Sequence, residues 1–429
     1  MIKIKNATLI SMSDKRERVE KDIDILIDGN KIIRIGRNIL DEVDKVIDAK
    51  GRVVMPGLVN THSHVPMSIF RESADGYLLQ DWLTKVIWPK EDKMTLEDVY
   101  YASLLSFLEL IRTGTTTIND MYFMTDEIIR AAICTNIRLQ TTRTLMNVSN
   151  IEEGLSRIEE LRLLLDKYRD KYDTITFNAG IHGLYTTNRE YIRECIKFAK
   201  ENDLDVNIHF CENTKEVQDI YEMYGEDAVS ILEGEFNGVK TLLAHAVKLT
   251  DDDIDRLSKI SNISISHCPI SNLKLGCGIA NVSKMVSSGI NVSLGTDGQG
   301  SGCNYDLFEV MKFTALLQKG VCEDALQLPA YEVLKMATYN GAKALGLEDS
   351  IGSIEEGKCA DLIMLDLDTL ITQPINDLFS NIVYNVKGSN VDTTIINGKI
   401  LMENKIFNSS IDIFGLYDKC KEIIDRISV

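Results

Sequence analysis

The sequence is poor in basic residues, in paired cysteines and in long hydrophobic runs. Only 47 Lys and Arg face 65 Asp and Glu, which gives a formal charge of −18. An acidic surface repels nucleic-acid phosphates and anionic lipids, so we expect neither nucleic acid nor a membrane as a partner. The 9 cysteines form no CxxC pair, which disfavours a disulfide framework and a cysteine-based zinc site.

No apolar run approaches the about 18 residues that a membrane helix needs. The first ten residues, MIKIKNATLI, alternate like a strand and lack the apolar core of a secretory signal. These features predict a cytoplasmic protein with reduced thiols. With the acidic charge, they favour a small neutral or zwitterionic molecule as its substrate.

Both ends of the chain carry short strand patterns. DIDILIDGNKIIRIG near the start and VDTTIINGKILMENKIF near the end each place a turn between two apolar runs. Each piece alone would leave one apolar face uncovered. We therefore expect residues 1–55 and 352–429 to pack together as one discontinuous β-sandwich domain, with a helix after its last strands.

Residues 56–351 alternate between buried strand patterns and amphipathic helical patterns. The strand patterns are GLVNTH, TTTIND, RLQTTRT, TITFNAGIH, DVNIHF, TLLAHA, SISISH and NVSLGTD. Strands that alternate with helices form parallel sheets, and a count of eight favours closure. The predicted fold is therefore α/β, a (β/α)₈ TIM barrel.

The histidines are few and fall in one kind of place. All 6 lie at or near the C-terminal end of a predicted barrel strand: His62, His64, His182, His209, His245 and His267. Barrel active sites are built at that end, where the strands and the following loops converge. We therefore expect the histidines to share one site.

His62 and His64 stand two positions apart on a strand, so both imidazoles face the same side. With His209 after the fifth strand and Asp297 after the eighth, they make three imidazoles and a carboxylate. Such a set suits a zinc-type ion with one position left for water. Taken singly, the histidine pair can be two polar residues on one face, and Asp297 can be a turn residue beside glycine.

Three further residues are candidates for proton transfer. Glu212 lies just beyond His209, where a carboxylate can exchange a proton with water and substrate, or can instead be an acid at a helix start. His245 ends a wholly apolar strand and is either a proton-transfer partner or a satisfied core histidine. His267 is as compatible with a structural role as with a functional one.

Together these motifs resemble the amidohydrolase superfamily. They are PGLVNTHSH at 56–64, the His209 and Glu212 pair, Ala244-His245, HCPISNLKL at 267–275 and LGTDG at 294–298. The chain is most similar to the mononuclear-metal aminohydrolases of that superfamily, and among them to the 5-methylthioadenosine/S-adenosylhomocysteine deaminases. The resemblance covers nearly the whole chain.

The resemblance implies one divalent metal ion, Zn²⁺ first, although Fe²⁺, Ni²⁺ or Mn²⁺ accepts the same donors. It assigns four ligands: His62, His64, His209 and Asp297. The fourth strand, TITFNAGIH, has no lysine where binuclear relatives carry a carbamylated one. The resemblance also implies that Glu212 is the acid and base at the ring nitrogen. It likewise implies that His245 orients the water and shares the role of base with Asp297.

For the substrate, the resemblance implies that Glu91 of Trp88-Pro89-Lys90-Glu91 binds ribose hydroxyls. His182 matches a histidine that contacts the substrate. The chain departs from the family pattern on loops: Gly76-Tyr77-Leu78 replaces Asp-Leu-Pro, Leu184 replaces a proline, and Cys211-Glu212-Asn213 replaces Ser-Glu-Thr. Loops of this kind set specificity.

The implied reaction is hydrolytic deamination of 5′-methylthioadenosine, S-adenosylhomocysteine or adenosine to the inosine analogue and ammonia. One alternative is a deaminase or chlorohydrolase of a guanine, cytosine, pterin or s-triazine type of heterocycle. A remote alternative is a non-catalytic scaffold, which the full ligand set disfavours. The resemblance also implies a homo-oligomer.

The 5′ side of the ribose has two candidate environments. Arg143, at the end of the third strand, can pair with the carboxylate of S-adenosylhomocysteine or can be a structural ion-pair partner. Trp88 can instead line an apolar pocket for a methylthio group, together with Trp82, Leu83 and Ile87. The spacing of those four residues also fits ordinary helix packing.

Overall fold

Strands and helices alternate through most of the chain in the computed structural model, which describes residues 1–73, 75–147 and 150–428. The strands, numbered in chain order, are β1 (Ile2–Leu9), β2 (Glu20–Asp28), β3 (Lys31–Gly36), β4 (Lys45–Asp48), β5 (Arg52–Pro56), β6 (Leu58–Ser63), β7 (Thr115–Tyr122), β8 (Arg138–Arg143), β9 (Ile175–Phe177), β10 (Ala179–Gly183), β11 (Val206–Phe210), β12 (Thr241–His245), β13 (Ile263–His267), β14 (Asn291–Leu294), β15 (Leu362–Asp366), β16 (Val391–Ile396), β17 (Lys399–Glu403) and β18 (Ile406–Phe407).

The helices are α1 (Leu79–Trp82), α2 (Trp88–Glu91), α3 (Leu96–Arg112), α4 (Thr125–Thr135), α5 (Ile151–Tyr168), α6 (Arg189–Glu201), α7 (Thr214–Tyr224), α8 (Ala228–Glu235), α9 (Asp251–Leu257), α10 (Pro269–Lys274), α11 (Val282–Ser287), α12 (Gln299–Gly302), α13 (Leu307–Val321), α14 (Ala330–Met336), α15 (Tyr339–Ala344), α16 (Leu378–Tyr384) and α17 (Ile413–Ser428). A π-helical turn, Leu83–Ile87, joins α1 to α2. Within the described ranges, none of these helices has both the length and the apolar character that crossing a bilayer demands.

The strands from β6 to β14 form a parallel barrel. They hydrogen-bond in two runs, in the orders β6-β7-β8-β9 and β10-β11-β12-β13-β14. Backbone hydrogen bonds join the runs at both seams, because Leu145 N donates to Gly180 O at 2.8 Å and Asp297 N donates to His62 O at 3.0 Å. The predicted α/β fold with a (β/α)₈ barrel is confirmed.

The fourth barrel strand divides at Asn178 into β9 and β10. The buried Asn178 amide donates to Asn119 Oδ1 at 2.7 Å and to Gln140 Oε1 at 3.2 Å. Polar groups on three neighbouring strands are therefore hydrogen-bonded to one another inside the barrel. This network explains why a single predicted strand, TITFNAGIH, is interrupted by an asparagine.

The two ends of the chain meet in one nine-stranded sheet, ordered β18-β17-β16-β15-β5-β1-β2-β3 with β4 paired to β1. The junction is antiparallel pairing of β5 with β15, in which Pro56 lies opposite Leu362. Side chains from both halves, such as Ile25 and Ile395, share one core that is separate from the core of the barrel. The predicted β-sandwich is thus a single sheet that curls over its own core, and the domain boundaries after residues 55 and 351 remain predictions.

A buried ion pair fastens this sheet to the barrel. Arg138 at the start of β8 donates from Nε to Asp361 Oδ2 at 2.7 Å and from Nη2 to Oδ1 at 3.1 Å. Asp361 also accepts the backbone N–H of Asn397 at 2.7 Å. The bidentate hydrogen bonds between the guanidinium and the carboxylate compensate both buried charges, as a buried ion pair requires.

Candidate active site

Five of the six histidines meet at the C-terminal mouth of the barrel. The His62 ring lies 5.0 Å from that of His64, 4.7 Å from that of His209 and 5.2 Å from that of His245, between centroids. The His182 ring lies 5.0 Å from that of His209. The predicted shared site is therefore formed by strands β6, β10, β11 and β12.

The four predicted metal ligands converge on one small volume. His64 Nε2 lies 3.2 Å from His209 Nε2 and 3.2 Å from Asp297 Oδ1. His62 Nε2 lies 3.7 Å from the same oxygen of Asp297. Nitrogen and carboxylate atoms this close to one another can all reach a single cation.

The other ring nitrogens fix the tautomers of two of these histidines. His64 Nδ1 donates to Met121 O at 2.6 Å, and His209 Nδ1 donates to His182 O at 2.5 Å. Because Nδ1 carries the proton in each case, Nε2 is left with a lone pair directed into the site. Metal-binding histidines are commonly oriented in this way.

These residues fit a divalent cation. Within the described part of the chain, neither ring nitrogen of the buried His62 has a hydrogen-bond partner, which is costly unless another group binds the ring. The Nε2 lone pairs of His64 and His209 face each other and need a positive charge between them. Three imidazoles and a carboxylate are the donors that zinc-type ions accept.

Asp297 is held as a carboxylate by a dense set of donors. Ser271 Oγ and Ser301 Oγ donate to its Oδ2 at 2.6 and 2.7 Å, and the N–H of Gly298 donates to its Oδ1 at 2.7 Å. Burial is the largest single influence and opposes its charge, but the contact with His64 and the attraction of the surrounding imidazoles together keep the pKa of Asp297 well below its usual value.

Glu212 and His245 face each other beside the predicted ligands. Glu212 Oε1 lies 3.7 Å from His245 Nδ1 and accepts a hydrogen bond from Cys277 Sγ at 3.8 Å. His245 Nδ1 donates to Asn272 Oδ1 at 2.8 Å. Burial raises the pKa of Glu212 above its usual value, so the protonated acid is favoured. General acid–base catalysis requires a group of this kind, which can give a proton and regain it.

A cavity of about 830 Å³ opens above this cluster, large enough for a nucleoside. Glu91 lies in its wall and accepts a hydrogen bond from Tyr122 Oη at 2.6 Å. Burial raises the pKa of Glu91 to about 7, although the Tyr122 hydroxyl acts in the opposite direction. His182 also lines the cavity and contacts Thr186 Oγ1 through Nδ1 at 2.9 Å.

The two predicted 5′ environments border the same cavity. Its apolar side contains all four residues that the sequence suggested: Trp82, Leu83, Ile87 and Trp88. Arg143 lies in its polar wall and donates from Nε to Glu160 Oε2 at 2.5 Å. Arg143 is thus both a cavity residue and an ion-pair partner, so the two interpretations of it are compatible.

Several cavity residues escaped the sequence analysis. Tyr122 stands two residues beyond the predicted strand TTTIND, so its place near the strand end could have been noticed. Arg157 and Glu160 lie on α5, where their spacing resembled that of any solvated helix face. Arg157 pairs with Glu153. Only the tertiary packing of α5 over the barrel mouth brings these charges to the cavity.

His267 stands apart from the other histidines. It is 1% exposed, and within the described residues neither of its ring nitrogens has a hydrogen-bond partner. Burial lowers its pKa to about 3, so the ring is neutral. His267 is in neither of the residue groups close enough to hold a metal.

Comparisons with known proteins agree with this geometry. The model of the Amidohydrolase family matches residues 53–401. The 5-methylthioadenosine/S-adenosylhomocysteine deaminase of Caldanaerobacter subterraneus subsp. tengcongensis is 42% identical over 406 residues, which cover 94% of this chain and 93% of that protein. The 5′-deoxyadenosine deaminase of Methanosarcina barkeri is 43% identical over 403 residues, which cover 94% of this chain and 92% of that protein.

Among solved structures, an adenosine deaminase from Xanthomonas campestris with bound zinc has a TM-score of 0.94. It is 29% identical, and the match covers 100% of this chain and 98% of that one. The chain therefore belongs to the amidohydrolase family. The predicted hydrolase acting on C–N bonds other than peptide bonds is confirmed, and so is the similarity to the methylthioadenosine and S-adenosylhomocysteine deaminases.

The ligand geometry generates a prediction about metal content. Changing a residue that only orients a metal ligand lowers metal affinity by about 10–100-fold. We expect His62→Ala and His209→Asn, which remove ligands, to lower zinc affinity by more than that. His182→Asn should keep the metal, because the His182 Nδ1 contacts Thr186 and His182 is in neither of the residue groups close enough to hold an ion. Elemental analysis of the three purified variants after dialysis against zinc would measure this, and equal metal in all of them would contradict the ligand assignment.

Proposed function

We propose that this protein catalyses metal-dependent hydrolytic deamination of an adenosine-type nucleoside with a modified 5′ position. Water replaces the 6-amino group, and the products are the inosine analogue and ammonia. The observation that carries the proposal is the buried pair of Glu212 and His245 beside four converging metal ligands, under a nucleoside-sized cavity. The deaminase names of the similar proteins support the same reaction.

The proposed ligands are His62, His64, His209 and Asp297, with Zn²⁺ as the first choice of ion. When bound, a divalent cation at this set lowers the pKa of the attacking water toward about 7. Asp297 Oδ1 and the His245 ring are the bases that can accept the proton that this water loses as it adds to C6.

Glu212 is proposed to deliver a proton to N1 of the purine as water adds to C6. The pKa of its carboxyl supports this role, because burial raises that pKa and so favours the acid form that gives the proton. The proton taken from water passes to the 6-amino group, which leaves as ammonia. Glu212 then regains its proton from the C6 hydroxyl, and the carbonyl of the product forms.

The Glu212 role can be tested directly. Glu212→Gln removes the acidic carboxyl proton but keeps the size of the side chain, so kcat for ammonia release should fall by about 10²–10⁴-fold. Glu222→Gln, on the exposed side of α7, is the matched control and should leave kcat unchanged. If Glu212→Gln retained both its metal and full activity, Glu212 would not be the acid.

Glu91 is proposed to bind the ribose hydroxyls with the oxygen that Tyr122 does not occupy. Because burial raises its pKa to about 7, the accepting carboxylate is lost as pH falls through that value. We expect KM for 5′-methylthioadenosine to rise below about pH 7. Glu91→Gln should raise KM by about 10–100-fold, the effect of one hydrogen bond to a charged group, and should abolish that pH dependence.

Free adenine is the control substrate for Glu91, because it has no ribose to bind. Steady-state kinetics of both substrates should be measured from about pH 5.5 to about pH 8.5, a range that spans the Glu91 pKa of about 7. The comparison would separate an effect on ribose binding from an effect on the base. An equal loss on adenine and on the nucleoside would point to a bare heterocycle as the substrate and favour the alternative heterocycle hydrolase.

We propose that Arg143 binds a carboxylate on the 5′ substituent of the substrate. Trp88 is proposed to line the apolar side of the cavity, against the 5′ substituent. Arg143→Met should weaken kcat/KM for S-adenosylhomocysteine by about 1–3 kcal/mol while leaving 5′-methylthioadenosine within a few-fold. Arg162→Met is the matched control, since Arg162 pairs with Glu159 on the surface of α5. Comparable losses on both substrates would mean that Arg143 supports the fold.

A further inference from the structure

The backbone that carries Glu212 makes an unfavourable turn. Strand β11 ends at Phe210, and the next residue, Cys211, has a φ of 50°. A residue with a side chain is strained in this left-handed region. The direction of the Glu212 side chain depends on this turn, so something must hold the turn in place.

The carboxylate of Glu216 holds it. Glu216 Oε1 accepts the N–H of Cys211 at 2.9 Å, and Oε2 accepts the N–H of Glu212 at 2.7 Å. Glu216 is 1% exposed, so these hydrogen bonds are shielded from water. Each of its oxygens is thus bonded to the strained turn.

Helix capping does not explain this arrangement. Glu216 is the third residue of α7, and Asn213 caps that helix by accepting the Glu216 N–H at 2.9 Å. In an ordinary capping box the third residue returns a hydrogen bond to the capping residue itself. Asp98 does so in α3, where it accepts the N–H of Thr95 at 2.6 Å. Glu216 instead reaches past Asn213 to the two residues before it.

We infer that Glu216 is a positioning residue for the reaction, which fixes the backbone of Glu212 so that its carboxyl is aimed at the substrate. This inference rests on the proposed role of Glu212. A carboxylate is needed at position 216 because both partners are N–H donors. The amide of a glutamine has only one acceptor oxygen, so its NH₂ group would face one of the two N–H donors.

The first test is Glu216→Gln in the full-length, metal-loaded protein. We expect kcat for deamination of 5′-methylthioadenosine to fall by about 10–100-fold, as when a residue that orients an active-site group is changed. KM should change little, because the ribose contacts proposed for Glu91 are unaffected. Asp98→Asn is the matched control, since it alters a buried carboxylate at the same position of another helix. It should leave kcat unchanged.

The second test asks whether Glu216 acts through Glu212. If it does, the double variant Glu212→Gln/Glu216→Gln should be no slower than Glu212→Gln alone, because the group being positioned is already absent. Multiplied losses in the double variant would overturn the inference. If Glu212→Gln itself kept full activity, the proposed role of Glu212 would fail instead, so the two failures are distinguishable.

Amide hydrogen exchange gives a readout that is independent of activity. In Glu216→Gln the amides of Cys211 and Glu212 should exchange faster, while those of the neighbouring strand β12 keep their protection. This measurement also applies if the variant has lost all turnover. Unchanged protection at both amides together with an unchanged kcat would show that Glu216 does not hold the turn.

Discussion

The rest of this structure depends on one constraint, which is that imidazole nitrogens without a hydrogen-bond donor are buried beside a carboxylate. His62 has no hydrogen-bond partner for either ring nitrogen within the described residues, and the lone pairs of His64 and His209 face each other at 3.2 Å. Each unsatisfied buried group costs about 1–3 kcal/mol. Such a cluster is tolerated only where a rigid frame holds it and a cation can bind it. The closed barrel supplies the frame, because its strands are hydrogen-bonded on both sides.

Backbone strain gathers around the same cluster. Cys211, His245 and Asp297 have φ values of 50°, 72° and 62°, and each follows or ends a barrel strand. Buried carboxylates hold the chain near these points: Glu216 binds the turn after β11, and Asp120 accepts the N–H of Val65 at 2.6 Å just after β6. The geometry of the site is therefore maintained by groups that never need to touch the substrate, which is how sites of this kind persist.

The periodic parts of the fold could be predicted from the sequence, because the barrel strands are short, largely buried runs with a polar residue at or near the C-terminal end. The histidine positions followed from the same pattern. The division of the fourth strand at Asn178 could not be predicted, since it depends on amides from β7 and β8. The meeting of Arg143 with Glu160 on α5 was equally hidden, because helix packing over the barrel mouth decides it. In the sequence, Glu216 is an acid in the first turn of a helix, which is a common pattern. Only its two acceptor contacts distinguish it from other acids at that position.

The pairing of β5 with β15 has a consequence for how the chain folds during synthesis. Pro56 and Leu362 are partners across about 300 residues of chain, which a ribosome adds in about 15 to 60 s. Throughout that interval the first five strands lack the neighbour that completes their sheet. An unpaired strand edge of this kind invites association with other chains. The early strands must therefore be kept apart from other chains until β15, near the start of the last sixth of the sequence, is made. Chaperones that bind extended apolar segments are suited to that task.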